Sequence, residues 1–173
     1  MHLLERLLNI KLMVFDLDGV LTNGKIQLIG EGDWVRQMDI KDGYAIQLAI
    51  KSGINLAVVS GSHSKQVELR LKKLGVEIFV QGAVRKSQHV VQLMKQFGLK
   101  QDNVLYMGDD VPDLDAFQVS GIKVCPSDAA TELKASADII TLRNGGDSCV
   151  REIIEKVMRT QGKWIIDQEI SSI

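Results

Sequence analysis

Val14-Phe15-Asp16-Leu17-Asp18-Gly19-Val20-Leu21-Thr22 is the stretch whose reading decides the fold. An apolar run from Ile10 to Phe15 leads into two carboxylates one residue apart, then a glycine. In a strand, residues i and i+2 point to the same side. A continued strand would therefore hold Asp16 and Asp18 together as like charges, which is unfavourable. Gly19 instead marks a turn just after the strand ends. Both acids then sit at the carboxyl edge of a sheet, where open α/β folds bind ligands. Two acids there need a cation or a shared proton to coexist. The plain alternative is a polar turn with no chemistry, and the rest of the chain has to choose.

Outward from that stretch, apolar runs of strand length alternate with helical segments. A leucine-rich N-terminus reads as a short amphipathic turn or two. Residues 24–29 and 34–40 read as two extended arms around the turn cluster Gly30-Glu31-Gly32-Asp33, a β-hairpin flap over about 24–40. Lys41-Asp42-Gly43 turns into a helix over about 44–52. Strands follow over about 54–59, 76–80, 104–107, 122–125 and 139–140. Helices fall over about 63–73, 86–97, 114–119, 129–135 and 149–160, the last with Asp147 or Ser148 as its cap. This alternation predicts an α/β fold: a three-layer, doubly wound, mostly parallel sheet. The 173 residues suit a single domain with a real core, ending in a tail over about 162–173 that is either disordered or docked.

Composition excludes several classes. With 21 basic and 22 acidic residues, no cationic surplus points to nucleic acid or to an anionic membrane as partner. Cys125 and Cys149 match no metal-ligand spacing and suggest no disulfide framework, which fits a reducing, cytoplasmic setting. The N-terminal apolar stretch is interrupted by Glu5, Arg6 and Asn9 and is too short to span a bilayer.

Polar groups recur at strand ends. Asp16 and Asp18 follow the first core strand, Ser60 the next, and Lys86 opens a helix beyond the third. Gly108-Asp109-Asp110-Val111-Pro112-Asp113 follows the fourth. In a parallel sheet these ends share one edge. Asp16 and Asp109 offer hard oxygen ligands suited to Mg²⁺, while Ser60 and Lys86 suit phosphate oxygens. Phosphoryl transfer uses such a set: the first aspartate attacks phosphorus, and the second protonates the leaving oxygen and then deprotonates water. His63 and His89 lack partners at metal or triad spacing and read as surface residues. Trp34 and Tyr44 read as packing, although a Trp in an exposed hairpin also suits a subunit interface.

Asp-x-Asp-Gly-Val-Leu-Thr (16–22), a strand ending in Ser60, Lys86, and Gly-Asp-Asp-x-x-Asp (108–113) together resemble the four ordered motifs of the haloacid dehalogenase superfamily of phosphatases. The resemblance implies that Asp16 is the nucleophile, Asp18 the acid/base and a backbone-carbonyl metal ligand, and Asp109 a Mg²⁺ ligand, with Asp110 and Asp113 in support. The gaps between motifs leave no room for a cap domain. Leu21-Thr22-Asn23-Gly24, Lys41-Asp42-Gly43-Tyr44 and Gly145-Gly146 with Arg151-Glu152 make the chain similar to the capless subgroup acting on phosphorylated eight- and nine-carbon sugar acids. That likeness implies release of phosphate from 3-deoxy-D-manno-octulosonate 8-phosphate, a lipopolysaccharide precursor. A nononate or sialic-acid 9-phosphate is the alternative substrate. It further implies a homotetramer in which each hairpin covers a neighbour's site, and substrate contacts at Asp39, Ile40, Lys41, Asp42, Gly43, Arg70 and Lys86.

Ser62 and Gln47 stand where the subgroup often has arginines, and Asp147-Ser148-Cys149 departs from its usual loop. These differences bear on the sugar acid rather than on the chemistry. Two other classes compete: a receiver domain phosphorylated on Asp, and a non-catalytic scaffold of the same fold. A receiver needs its acceptor Asp at the end of a later strand, where this chain has Ser60 and Gln81.

Overall fold

The computed structural model describes residues 2–29 and 33–170. Six parallel strands form the central sheet: β1 (Leu12–Phe15), β4 (Asn55–Val59), β5 (Ile78–Val80), β6 (Val104–Met107), β7 (Ile122–Cys125) and β8 (Ile139–Ile140). Their order is β5-β4-β1-β6-β7-β8. The chain winds outward from β1 on one side, then returns beside β1 with β6 and winds outward on the other. The reversal between β1 and β6 is where such sheets open a crevice at their carboxyl ends. In register, Phe15 pairs with Val58 on one side and Met107 on the other, so Asp16, Ser60 and Gly108 emerge side by side.

Strand alternation sorts the core into two layers. Met13 and Phe15 of β1 pack with α1 (Leu3–Leu8), α2 (Ile40–Lys51), α3 (Lys65–Lys73) and α7 (Cys149–Thr160). Leu12 and Val14 pack on the opposite face with α4 (Lys86–Phe97), α5 (Leu114–Gln118) and α6 (Thr131–Ser136). Burial on both faces explains why β1 and β6 read as unbroken apolar runs. The expected three-layer, doubly wound α/β architecture holds, and every neighbouring pair in the main sheet is parallel.

A separate two-stranded hairpin, β2 (Gln27–Ile29) with β3 (Asp33–Val35), stands off the sheet. Both of its strands are shorter than the arms read from sequence, and residues 30–32 of the expected turn lie outside the described residues. The tail docks. Trp164 meets Tyr44 edge-on at 6.3 Å, lies between the guanidiniums of Arg151 and Arg159, and Asp167 pairs with Lys51.

Two local readings need correction. Helix α2 begins at Ile40 rather than Tyr44, because the Asp39 side chain caps it by accepting from Lys41 N at 2.8 Å. Asp42-Gly43 is thus the first helical turn, not a turn ahead of the helix. Ser148 does occupy the N-cap position of α7, but its hydroxyl bonds Asp39 instead of capping. The cap comes from elsewhere in the chain: Asp42 Oδ1 accepts from Arg151 N at 2.7 Å.

Candidate active site

After β1 the chain folds into a tight turn, Leu17–Leu21, in which Asp18 and Gly19 leave helical geometry. Gly19 has φ 85°, and a Cβ there would lie 1.9 Å from Asp109 Oδ2. Only glycine supplies both that conformation and the space that lets Asp109 approach the turn. Gly108 serves the next loop in the same way, since a Cβ on it would lie 2.3 Å from the Asp113 carboxyl.

Four titratable side chains meet at this edge. Lys86 Nζ lies 2.9 Å from Asp16 Oδ1 and 2.7 Å from Asp113 Oδ1. Asp113 is 1% exposed and wholly satisfied: Oδ1 also accepts from the Tyr106 hydroxyl at 2.6 Å, and Oδ2 from Asp109 N at 3.1 Å and Asp110 N at 3.4 Å. It therefore acts as the post on which Lys86 and the Asp109 loop are hung. Asp110 faces away, is exposed, and accepts from Val111 N in its own turn.

Among the described residues, Asp16, Asp109 and Asp113 offer carboxylate oxygens all within 4.8 Å of one another. Burial and then the Asp113 charge push the Asp16 carboxyl well above its ordinary range, although Lys86 opposes the shift. Burial and then the charges of Asp16 and Asp113 push Asp109 up to about 8. Burial works against the Lys86 ammonium, but Asp16 and Asp113 outweigh it and hold its pKa above the ordinary value. Three carboxylates facing one ammonium leave two negative charges uncompensated. With Asp113 already saturated, Asp16 and Asp109 are left as hard donors, a set that fits a divalent cation such as Mg²⁺. The structure also separates Asp18 from this cluster. Its carboxylate turns outward, where Arg36, Ser62 and Thr22 donate to it.

Ser60 is buried at the end of β4. Since the Ser62 hydroxyl donates to Asp18 Oδ2 at 2.9 Å, the Ser60 hydroxyl donates to Ser62 Oγ, also at 2.9 Å. Ser60 is not the cap of α3, because Ser64 accepts from Val67 N instead.

Of the expected substrate residues, Asp39, Ile40 and Lys41 line a hollow of about 500 Å³ with Asn23 and Gln37. Asp42 and Gly43, also expected to contact substrate, are buried in the first turn of α2. Arg70 lines a second hollow of about 390 Å³ between the hairpin and α3, with Trp34 and Arg36. The sequence marks Thr22 only as part of the opening motif and gives no sign of Arg36 or Tyr106. Arg36 sits in a strand-like run and Tyr106 in an apolar strand, and neither position carries a local motif.

Residues 79–153 match the family of haloacid dehalogenase-like hydrolases. The 3-deoxy-D-manno-octulosonate 8-phosphate phosphatase of Haemophilus influenzae is 33% identical, the match covering 92% of this chain and 88% of that one. A crystal structure of the phosphatase of that name from Moraxella catarrhalis, in complex with magnesium, phosphate and KDO, superposes with a TM-score of 0.90 at 32% identity. It covers 94% of this chain and 95% of that one. The cobalt-bound Haemophilus influenzae phosphatase gives a TM-score of 0.88 at 32% identity, over 91% and 92% of the two chains. Parallel topology, a carboxylate cluster at the β1–β6 crevice and likeness along nearly the whole chain converge: this chain belongs to the haloacid dehalogenase superfamily and is a capless phosphatase of it.

Proposed function

We propose that the chain releases phosphate from 3-deoxy-D-manno-octulosonate 8-phosphate through an aspartyl-phosphate formed on Asp16, with Mg²⁺ as cofactor. The observation that carries the chemistry is the Asp16–Lys86–Asp113 contact, with Asp109 alongside, at the carboxyl edge of β1 and β6. The substrate follows from likeness to the octulosonate phosphatases, above all the Moraxella catarrhalis protein with its bound magnesium, phosphate and KDO.

Asp16, held by Lys86, presents one carboxylate oxygen to phosphorus. A bond forms between that oxygen and phosphorus, and the bond from phosphorus to the sugar oxygen breaks. Asp18 gives its proton to the departing oxygen. The Asp18 carboxylate then takes a proton from water, which attacks phosphorus, returning phosphate and a free Asp16. Lys86 offsets negative charge on the transferring group, and Ser60 is placed to donate to its oxygens once released from Ser62. Asp16 and Asp109, with the Asp18 backbone carbonyl, would hold Mg²⁺, which when bound offsets charge on the phosphoryl oxygens. Asp39, Ile40, Lys41 and Arg70 are the proposed contacts to the sugar acid.

The hairpin exposes Leu28, Ile29, Trp34 and Val35. An apolar face of this kind suits burial against another copy in a homotetramer, covering the neighbour's cleft. A phosphate-release panel decides the substrate: octulosonate 8-phosphate should be turned over faster than nononate 9-phosphate or N-acetylneuraminate 9-phosphate. Asp16→Asn should abolish turnover with the fold kept, and sustained release by that variant would overturn the mechanism.

A further inference from the structure

Arg36 leaves the hairpin just after β3 and is where the flap reaches the site of its own chain. Its side chain is 3% exposed, whereas Trp34 and Val35 beside it are 52% and 40% exposed. Nε donates to Asp18 Oδ1 at 2.6 Å and Nη2 to Asp18 Oδ2 at 3.2 Å, a two-pronged guanidinium–carboxylate pair. The Ser62 hydroxyl adds a bond to Oδ2 and the Thr22 hydroxyl a long one to Oδ1. The guanidinium carbon sits 5.9 Å from the centroid of the Trp34 ring.

This arrangement conflicts with the work proposed for Asp18. Both of its oxygens already accept from protein donors, and neither is free to face a leaving oxygen. The clasp must open during turnover. Arg36 and Ser62, which form it, also line a hollow of about 940 Å³ bounded by Trp34, His63, Lys65 and Gln81. That volume suits a small-molecule site. An incoming sugar acid carries a carboxylate, the same group that Arg36 already grips. A planar guanidinium can pass from one carboxylate to another without losing its paired geometry, and its desolvation is already complete.

We propose that Arg36 is a positioning residue that exchanges Asp18 for the carboxylate of the substrate, so that recognition of the sugar acid frees Asp18 for proton transfer. The proposal rests on the phosphatase reading above. It makes the hairpin base a selector in cis. A phosphate ester lacking a carboxylate leaves Asp18 clasped and is hydrolysed slowly. Removing the guanidinium weakens the hold on sugar acids and frees Asp18 for every ester.

The test compares kcat and KM of the full chain, as wild type, Arg36→Ala and Arg36→Lys, on octulosonate 8-phosphate and on phenyl phosphate. In Arg36→Ala, KM for octulosonate 8-phosphate should rise at least about tenfold, whereas kcat for phenyl phosphate should increase. Arg36→Lys should recover part of the KM. Equal losses of kcat on both esters, or no change on either, would overturn the proposal. A wild type that does not favour octulosonate 8-phosphate over phenyl phosphate would overturn the substrate reading and the proposal together. A preference that survives in Arg36→Ala would overturn the proposal alone. Binding is read separately in Asp16→Asn/Trp164→Phe, where Trp34 is the one tryptophan left. Octulosonate 8-phosphate should change its fluorescence as the guanidinium moves and phenyl phosphate should not; the same response to both would refute the exchange.

Discussion

Asp113→Ala tests whether the site is built around its buried post. The substitution removes partners from four groups at once: the Lys86 ammonium at 2.7 Å, the Tyr106 hydroxyl at 2.6 Å, and the backbone N–H groups of Asp109 and Asp110. One effect opposes the loss, since the Asp113 charge pushes up the carboxyls of both Asp16 and Asp109 and its removal relieves them. The loss should win, because that charge is already neutralised at contact distance by Lys86. Lys86 keeps Asp16 at 2.9 Å, but one buried charge pair is broken and three further donors lose their acceptor, a loss of about 3–5 kcal/mol. For a chain of this size each kcal/mol moves Tm by about 2–4 °C, so the expected fall is about 6–20 °C. Calorimetric or circular-dichroism melting in metal-free buffer reads it. Lys86→Met in the same chain should lose less than the sum of the two single variants, because the pair is then absent rather than broken. A fall in Tm under about 2 °C, or strict additivity in the double variant, would refute the reasoning.

Asp42 is buried at the contact between α2 and α7 and, as burial is the main cause, its carboxyl is pushed up to about 7 from 3.8. A folded-state value above the unfolded one means that stability is full below the unfolded pKa and falls as pH rises from about 4 towards 7, by at most about 4 kcal/mol. Asp42→Asn should flatten that part of the Tm–pH profile, and an unchanged slope would count against the assignment. Gly19→Ala forces a side chain into φ 85° and against Asp109, so it should lose about 1–2 kcal/mol of stability and, through the displaced carboxylate, about 100-fold in kcat. Mg²⁺ at about 100 times its Kd should stabilise the wild type by about 2.7 kcal/mol, read as a rise in Tm, and Asp109→Asn should lose most of that gain; an equal gain in the variant would place the ion elsewhere.

What could be read from sequence followed from local signals. The doubly wound sheet was legible because strands buried on both faces are unbroken apolar runs, and because Asp16, Ser60, Lys86 and Asp109 each stand at the end of a strand or the start of a helix. Helix α4 has the bounds read from sequence, Lys86–Phe97, since Gly98 in the left-handed conformation closes it. The start of α2 was misplaced because Asp-Gly reads locally as a turn. What makes Asp42 helical is the Asp39 cap and a hydrogen bond to Arg151, which lies 109 residues away. Arg36 carries no local signal for the same physical reason: its partner Asp18 is 18 residues back, across a hairpin, and no spacing rule links them. Tyr106 reads as one more apolar residue of a strand, and only the fold brings its hydroxyl to Asp113.

The two aspartates of the opening turn therefore work under different constraints. Asp16 is 6% exposed and fixed through Lys86 to a saturated, buried post, which suits a group that must meet phosphorus in one geometry. The Asp18 side chain is 34% exposed and held from outside by a residue of the flap. In the proposed cycle the leaving oxygen and then water occupy the same position opposite Asp16, so Asp18 has to be free to reach that one position in both halves. Placing its restraint on a hairpin that stands off the sheet lets the restraint be released without disturbing Asp16, Lys86 or Asp109. The same hairpin exposes apolar side chains next to that clasp, with the Trp34 ring 5.9 Å from the Arg36 guanidinium. Anything that packs on the hairpin, including a neighbouring copy, would thereby bear on the position of Arg36. Variants of the exposed Leu28 are thus expected to alter sugar-acid KM as well as oligomer size, although the side chains that hold Asp18 are those of Arg36, Ser62 and Thr22.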